Sequence, residues 1–337
     1  SVVSEGQGPI SNGIQYLNSS PLVEIVGGFT KGLETSGNGK LALDLQIPLN
    51  DVDATKVKGS YTIINGSLSS DDTPPLTRIN GKLDFTESGL RGQNIGTWVY
   101  GGPAQVSLSS GKDKSVRISA RGQVSDAGLR SSFDTGIFDR IFGTADWTGN
   151  INASPNGVDI LINSTLQGMT SSLPFPLNKA MNDNVPLRIE RKQPNPNRDN
   201  ISVNYGSNLG AVFVRTKQGN GNWQIERGDI GLNVTPTLPQ QPGISVHGKM
   251  DLLDVDEWRE LSSSTKGKNQ QANDSLNISK VDLAINKLDV FDRRINDLKL
   301  TATAIKDGWQ MQAQSKELTG DIQWLSQGNG KVLARLK

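Results

Sequence analysis

Strict alternation of apolar and polar residues restricts this chain most, because a side-chain period of two fits a strand with one buried face and one wetted face. Leu41, Leu43, Leu45 and Ile47 share one parity, while Lys40, Asp44 and Gln46 take the other. Val116, Ile118 and Ala120 alternate with Arg117, Ser119 and Arg121, and Val158, Ile160 and Ile162 run on to Leu166. The pattern returns at 201–205, 223–225, 230–234, 298–304 and 309–313, and at 281–285, where Val281, Leu283 and Ile285 align. Glu87-Ser88-Gly89, Pro155-Asn156-Gly157, Gly219-Asn220-Gly221 and Lys306-Asp307-Gly308 each separate two such runs and supply a glycine for a hairpin turn. The expectation is a mainly β chain, an elongated antiparallel meander with no exact repeat.

Composition agrees with wetted strands. Only 34% of the 337 residues are hydrophobic and 5% aromatic, while 37 are glycine, a balance low for a compact enzyme. A net charge of +1 advertises no nucleic acid. Without cysteine there is neither a disulfide framework nor a thiolate ligand or nucleophile.

Three stretches break the alternation. Over 125–142, Ser125 offers an N-cap, Leu129, Phe133, Ile137 and Ile141 recur every fourth residue, and Gly143 can close a helix. A second short helix is expected from Pro176 over Leu177–Met181, and a third where Asp254 and Glu257 have capping-box spacing ahead of Trp258 and Leu261. The expected plan is a β segment at 1–124, a helix at 125–143, a β segment at 144–261 with short helices near 176–181 and 254–261, a flexible loop at 262–275, and a β segment at 276–337. No apolar run is long enough to span a bilayer, Ser1 opens into polar sequence, and Val332–Lys337 reads as a strand. The chain is therefore expected to be a segment of something longer, with any anchor elsewhere.

Chemistry is sparse. His247 is the one histidine, so a His-based triad or metal site lacks partners, and a strand residue on a polar face is the simpler assignment. Asp251, Asp254, Asp256 and Glu257 form the densest carboxylate group, suited to glycosidase or calcium chemistry in principle, but capping explains Asp254 and Glu257. The glycine pairs at 27–28 and 101–102 build no phosphate-binding loop, and Ser109–Lys112 lacks the two further motifs of a β-lactamase site. No catalytic residue, metal site or cofactor is expected, and a non-enzymatic role is favoured.

Gly143-Thr-Ala-Asp-Trp-Thr-Gly149, Leu166-Gln-Gly-Met-Thr-Ser-Ser-Leu-Pro-Phe-Pro-Leu-Asn-Lys-Ala180 and Val185-Pro-Leu-Arg188 resemble the YhdP branch of the AsmA-like family of Gram-negative bacteria. In the same order follow Gly248-Lys-Met-Asp-Leu-Leu-Asp-Val-Asp-Glu-Trp258, Asp307-Gly-Trp309, Gly320-Asp-Ile-Gln-Trp324 and Gly330–Leu336. The resemblance covers residues 125–337 and implies an internal, later-half segment of a periplasmic protein, anchored in the inner membrane by a part absent from this chain. It implies a curved β groove that carries phospholipid between the inner and outer membranes, with acyl chains as partners and no nucleic acid. The candidate lining is Leu41, Leu43, Leu45, Ile47, Val116, Ile118, Val158, Ile160, Ile162, Val281, Leu283 and Ile285. Alternation by itself more often marks a closed core, which would make the chain an adhesin-like scaffold module of the envelope. A carbohydrate-active enzyme built on Asp254 and Glu257 is a third possibility. Leu173-Pro-Phe-Pro-Leu177 fits either lipid contact or loop packing.

Overall fold

The alternating runs do form strands, and each turn dictates which strand comes next. The computed structural model describes residues 2–19, 30, 32–46, 48, 56–70, 73–111, 113, 115–133, 135–219, 221–264, 277–326 and 331–337. The chain is mainly β, with short helices, and divides into two units. Unit 1 comprises Ser1–Phe133, Phe142–Gly168 and Lys192–Pro194; unit 2 comprises Asp134–Ile141, Met169–Arg191 and Asn195–Lys337.

In unit 1 the strands are β1 (Val2–Pro9), β2 (Glu34–Gln46), β3 (Lys56–Ser70), β4 (Thr73–Thr86), β5 (Gly89–Val99), β6 (Gly102–Ser110), β7 (Val116–Ser125), β8 (Ile141–Ser154) and β9 (Gly157–Ser164). Each pairs antiparallel with the next, so this unit is the meander that the hairpin signals predicted. The turns at 87–88 and 155–156 fall where the glycines placed them.

Helix α1 (Ile10–Asn18) follows β1 directly and has no counterpart in the sequence reading. Ile10, Ile14 and Leu17 sit at helical spacing, and Pro9 occupies the N-cap. Its Leu17 packs on the buried pair Val116 and Ala153, beside Ile118 and Val158.

The helix expected over 125–142 is shorter and broken. Ser125 does cap α2 (Asp126–Ser132), its Oγ accepting from Gly128 N at 3.1 Å, but the helix stops at Phe133, whose backbone is extended. Gly136–Arg140 then forms a separate 3-10 turn capped by Thr135, and β8 starts at Ile141. The fourfold recurrence misled because it is not a buried stripe: Phe133, Ile137 and Phe142 are all exposed.

In unit 2 lie β10 (Met169–Ser171), β11 (Leu187–Asn195, apart from 192–194), β12 (Arg198–Tyr205), β13 (Leu209–Lys217), β14 (Trp223–Leu232), β15 (Gly243–Asp254), β16 (Ile278–Val290), β17 (Arg293–Ile305), β18 (Gly308–Gln314), β19 (Thr319–Leu325) and β20 (Lys331–Leu336). Antiparallel pairing runs from β12 to β14 and from β16 to β20, but β15 is parallel to both of its neighbours. The sheet is thus mainly antiparallel with β15 as a parallel insertion, a detail that the alternation does not encode. Parallel neighbours need a crossover rather than a tight turn. The Asn233–Pro242 segment supplies one between β14 and β15. Helix α3 (Val255–Ser264) opens the next, with Asp254 Oδ1 accepting from Glu257 N at 2.9 Å as its capping spacing predicted.

No helix forms at 176–181. Ser171 and Lys179 instead exchange backbone hydrogen bonds (2.9 and 3.0 Å), and Leu177 N donates to Pro174 O at 3.0 Å. The Lys179 ammonium is drawn into this loop, donating to Met169 O and Ala180 O at 2.8 Å each, and burial lowers its pKa. Leu173 is buried, Phe175 packs on the main apolar cluster of unit 2, and Trp258 Nε1 donates to Phe175 O at 3.3 Å. The 173–177 stretch is a packed loop. Residues 262–264 complete α3, while 265–275 of the expected flexible loop lie outside the described residues.

Candidate functional site

Directly paired residues of neighbouring strands point to the same face, so register decides which side chains share a surface. In unit 1 one register row reads Leu41, Tyr61, Leu83, Gly92, Leu108, Ile118, Ile151, Ile160 from β2 to β9. Every member but the glycine is apolar or aromatic. The gap at Gly92 is filled from its own face, since a Cβ there would meet Ile95 and Leu83 at 2.7 Å each. Parallel rows flank it: Leu43, Gly59, Phe85 and Leu90 on one side, and Val106, Ala120, Gly149 and Ile162 on the other. The reverse face is polar, as in the rows Lys40, Thr62, Lys82 and Arg117, Asn152, Asp159.

At about 4.8 Å per strand the eight-strand row runs roughly 33 Å across unit 1. Leu41, Tyr61, Leu83, Leu108, Ile118, Ile151 and Ile160 are each only half-buried, in contrast to the sealed positions Val116 and Ala153. Helix α1 lies across part of the face: Leu17 covers the Val116 cluster, and Gly13 comes so close to Tyr61 that a Cβ there would stand 2.9 Å from its hydroxyl. Burial in these apolar surroundings raises the Tyr61 pKa.

Unit 2 has its own apolar rows. Val203, Ala211, Ile230, Val246, Val281, Ala302, Met311 and Ile322 form one across β12 to β19, and Tyr205, Leu209, Leu232, Gly248, Leu283, Leu300 and Ala313 the next. Here much of the face closes on itself. Leu232, Met250, Leu283, Ile285, Leu298 and Ala313 form a buried cluster, with Ile285 only 1% exposed. Tyr205 dips into this surface, its hydroxyl donating to Leu177 O at 3.3 Å, and burial raises its pKa.

The candidate lining therefore separates by position. Leu41, Leu43, Leu45, Val116, Ile118, Val158, Ile160 and Ile162 share one face of unit 1; Val281, Leu283 and Ile285 share one face of unit 2; Ile47 lies outside the described residues. Val116, Leu283 and Ile285 are sealed core, and the others are half-buried. Sequence reasoning missed Tyr61, Leu83, Leu108 and Ile151, which complete the unit 1 row. The signal was available for the last two, whose runs also alternate, but bulges in β4 and β5 blur the pattern around Leu83.

His247 lies on the opposite face from Val246 and donates from Nδ1 to Asp229 Oδ1 at 3.0 Å. Ser245 Oγ donates to the same oxygen and Thr237 N donates to Oδ2 at 2.7 Å. Serine and histidine thus meet on one buried carboxylate instead of on each other, which is a tether for the crossover and not a nucleophile–base pair. Asp251 and Asp256 likewise engage Asn286 (2.9 Å) and Arg259 (3.4 Å). Among the described residues no group of three or more His, Asp or Glu is placed to hold a metal ion, and no helix is long and apolar enough to cross a membrane.

Comparison with known proteins adds independent evidence. The family described as "YhdP protein" matches residues 1–337. The chain is 23% identical over 354 residues to the "Intermembrane phospholipid transporter YhdP" of Escherichia coli (strain K12), an alignment that covers 96% of this chain and 26% of the relative. The chain thus spans about a quarter of that relative's length. No solved structure matches it. The full-length family match extends the likeness over the first 124 residues, where sequence motifs showed none, and this chain belongs to the YhdP protein family.

Proposed function

We propose that this chain is a non-enzymatic segment of a periplasmic phospholipid conduit between the inner and outer membranes, held to the inner membrane by a part of the protein outside this chain. The half-buried residues of the unit 1 row, with Leu43, Leu45, Val158 and Ile162, carry the acyl chains; Val281 serves the same purpose in unit 2. Val116, Leu283 and Ile285 lie on the same faces but are sealed as core, so they anchor the covered parts of those faces and do not touch lipid.

One observation carries the reading: a continuous apolar row across eight strands whose members are half-buried, backed by a polar reverse face. A hydrocarbon chain leaving a bilayer loses about 0.8 kcal/mol per methylene to water, so a conduit must keep apolar contact unbroken along its path. A row of roughly 33 Å is longer than the acyl layer of one leaflet, roughly 15 Å, so a chain moving along it never leaves apolar surface. Such transfer breaks no bond and needs neither nucleophile nor metal. The E. coli relative's name as an intermembrane phospholipid transporter supports the same substrate. An adhesin-like scaffold with a closed core would instead place its apolar rows under a second layer.

Native mass spectrometry of the chain purified from a bacterial periplasm, with lipid extraction of the same sample, tests the proposal. Phospholipid should co-purify and be lost in folded Leu43→Asp and Ile160→Asp variants. A folded chain that neither retains nor takes up added phospholipid overturns it and favours the scaffold.

A further inference from the structure

The apolar face of unit 2 ends in charge. Along β12, Ile201, Val203 and Tyr205 share a parity with Asp199; along β13, Leu209, Ala211 and Phe213 share one with Arg215 and Lys217. Asp199 pairs with Arg215 in register, and Lys217 pairs with Trp223 of β14. From β11, Arg191 reaches the same place.

Asp199 is fully buried. Its Oδ2 accepts from Arg191 Nε and Arg215 Nη2, both at 2.7 Å, and its Oδ1 accepts from Arg215 Nε at 3.0 Å. The guanidinium carbons of Arg191 and Arg215 lie 5.4 and 5.1 Å from the centre of the Trp223 ring, and the exposed Lys217 ammonium lies 5.8 Å from it. The neighbouring acids Glu190 and Glu226 take the alternate parity on their strands and pair with Arg188 and Arg198. Arg191 and Arg215 thus converge on Asp199, and with Lys217 they gather around the Trp223 ring.

Two guanidinium groups held on a buried anchor, set against an indole and joined by an exposed ammonium, make a preorganised anion site. Its position at the end of the apolar rows selects an anion attached to hydrocarbon. Resting on the conduit reading above, we propose that Arg191, Arg215 and Lys217 bind the phosphate of a phospholipid headgroup whose acyl chains lie on the adjoining face of unit 2. Asp199 is a positioning residue that holds both guanidinium groups, and Trp223 packs beneath the headgroup.

The test uses the whole chain and three probes: phosphatidylglycerol, diacylglycerol with the same acyl chains, and inorganic phosphate, each followed by titration and Trp223-sensitive fluorescence. Wild type should bind phosphatidylglycerol about tenfold more tightly than diacylglycerol, the scale of one charge-assisted hydrogen bond. Lys217→Glu and Arg215→Gln should erase that preference and leave diacylglycerol binding unchanged. Lys217 is exposed, so its variant tests the idea even if Arg215→Gln unfolds. Equal binding of both lipids by wild type, or an undiminished preference in Lys217→Glu, overturns the headgroup site while the conduit stands. Binding of inorganic phosphate with no lipid preference assigns the cluster to a free ion and overturns it as well. Failure to bind either lipid removes the conduit reading and this site together.

Discussion

Replacing Asp229 by alanine should release the Asn233–Pro242 crossover while leaving the strands beneath it paired. Asp229 is 2% exposed and accepts from three donors: the Thr237 amide at 2.7 Å, Ser245 Oγ, and His247 Nδ1 at 3.0 Å. Hydrogen bonds to a charged acceptor contribute about 1.5–3 kcal/mol each. They do not add fully, because alanine also removes the desolvation penalty of the carboxylate. A net loss of about 3 kcal/mol follows, and the Thr237 amide, left without an acceptor, should exchange with solvent about a hundredfold faster. Hydrogen exchange resolved by peptide is the right assay, since a two-unit chain need not unfold in one step. Exchange should rise over 233–242 and remain slow in β16 and β17. Other contacts hold the segment too, Asn233 Nδ2 to Lys249 O at 2.8 Å and Arg227 Nη1 to Pro239 O at 3.3 Å, so its ends should respond less than Thr237. Unchanged Thr237 exchange in the folded variant would refute the claim that Asp229 tethers the crossover. Should Asp229→Ala unfold unit 2 outright, His247→Ala carries the test, with an expected acceleration of about tenfold from one lost charge-assisted hydrogen bond.

Ile118→Asp should weaken phospholipid binding about a hundredfold, because a charge displaces roughly four methylenes' worth of apolar contact, whereas Ser119→Asp on the reverse face should change it less than about twofold; equal effects in a lipid-binding assay would contradict the two-faced geometry. Ile285→Ala should cost about 3 kcal/mol in denaturant unfolding of unit 2, since Ile285 is sealed among Met250, Leu283 and Leu298. Gly128→Ala should dislodge α2, because a Cβ would fall 1.9 Å from Tyr100 O, and limited proteolysis over 126–140 should accelerate. Glu317 accepts from the Asn296 side chain at 2.6 Å and its amide at 2.9 Å, which holds its pKa below the ordinary carboxylate value. The protection it gives the Asn296 amide is therefore present above the ordinary value and lost as pH falls through the lowered one; Glu317→Gln should flatten that acid limb of exchange.

Most of this architecture was legible because a half-wetted sheet leaves its period in the sequence. The runs at 41–47, 116–120, 158–166 and 281–285 sit in strands, apart from Ile47 outside the described residues and the tail 165–166 beyond β9. Alternation cannot say what lies over a face, and it is here that Ile285, sealed, and Ile160, half-buried, look alike in sequence and differ in structure. Nor does it encode direction: the run at 243–250 alternates as any antiparallel strand would, and only the crossovers make β15 parallel. The turn at Phe291-Asp292 escaped notice because both residues are left-handed (φ 50° and 57°) without a glycine or asparagine to mark it. The charged rim was invisible for a plainer reason. Arg191, Asp199, Arg215 and Trp223 are scattered over 33 positions and meet only when four strands are in register.

The parallel placement of β15 also bears on how the chain assembles. Unit 1 is built from neighbours in sequence, so each new strand can join as soon as its hairpin closes, an order suited to a polypeptide emerging from the ribosome. Unit 2 cannot grow that way past β14, because β15 and β16 dock only after a crossover has swung the chain back to its starting side. Between β14 and that docking, the newest edge waits open, and folding of unit 2 should be paced by loop closure instead of by hairpin zipping.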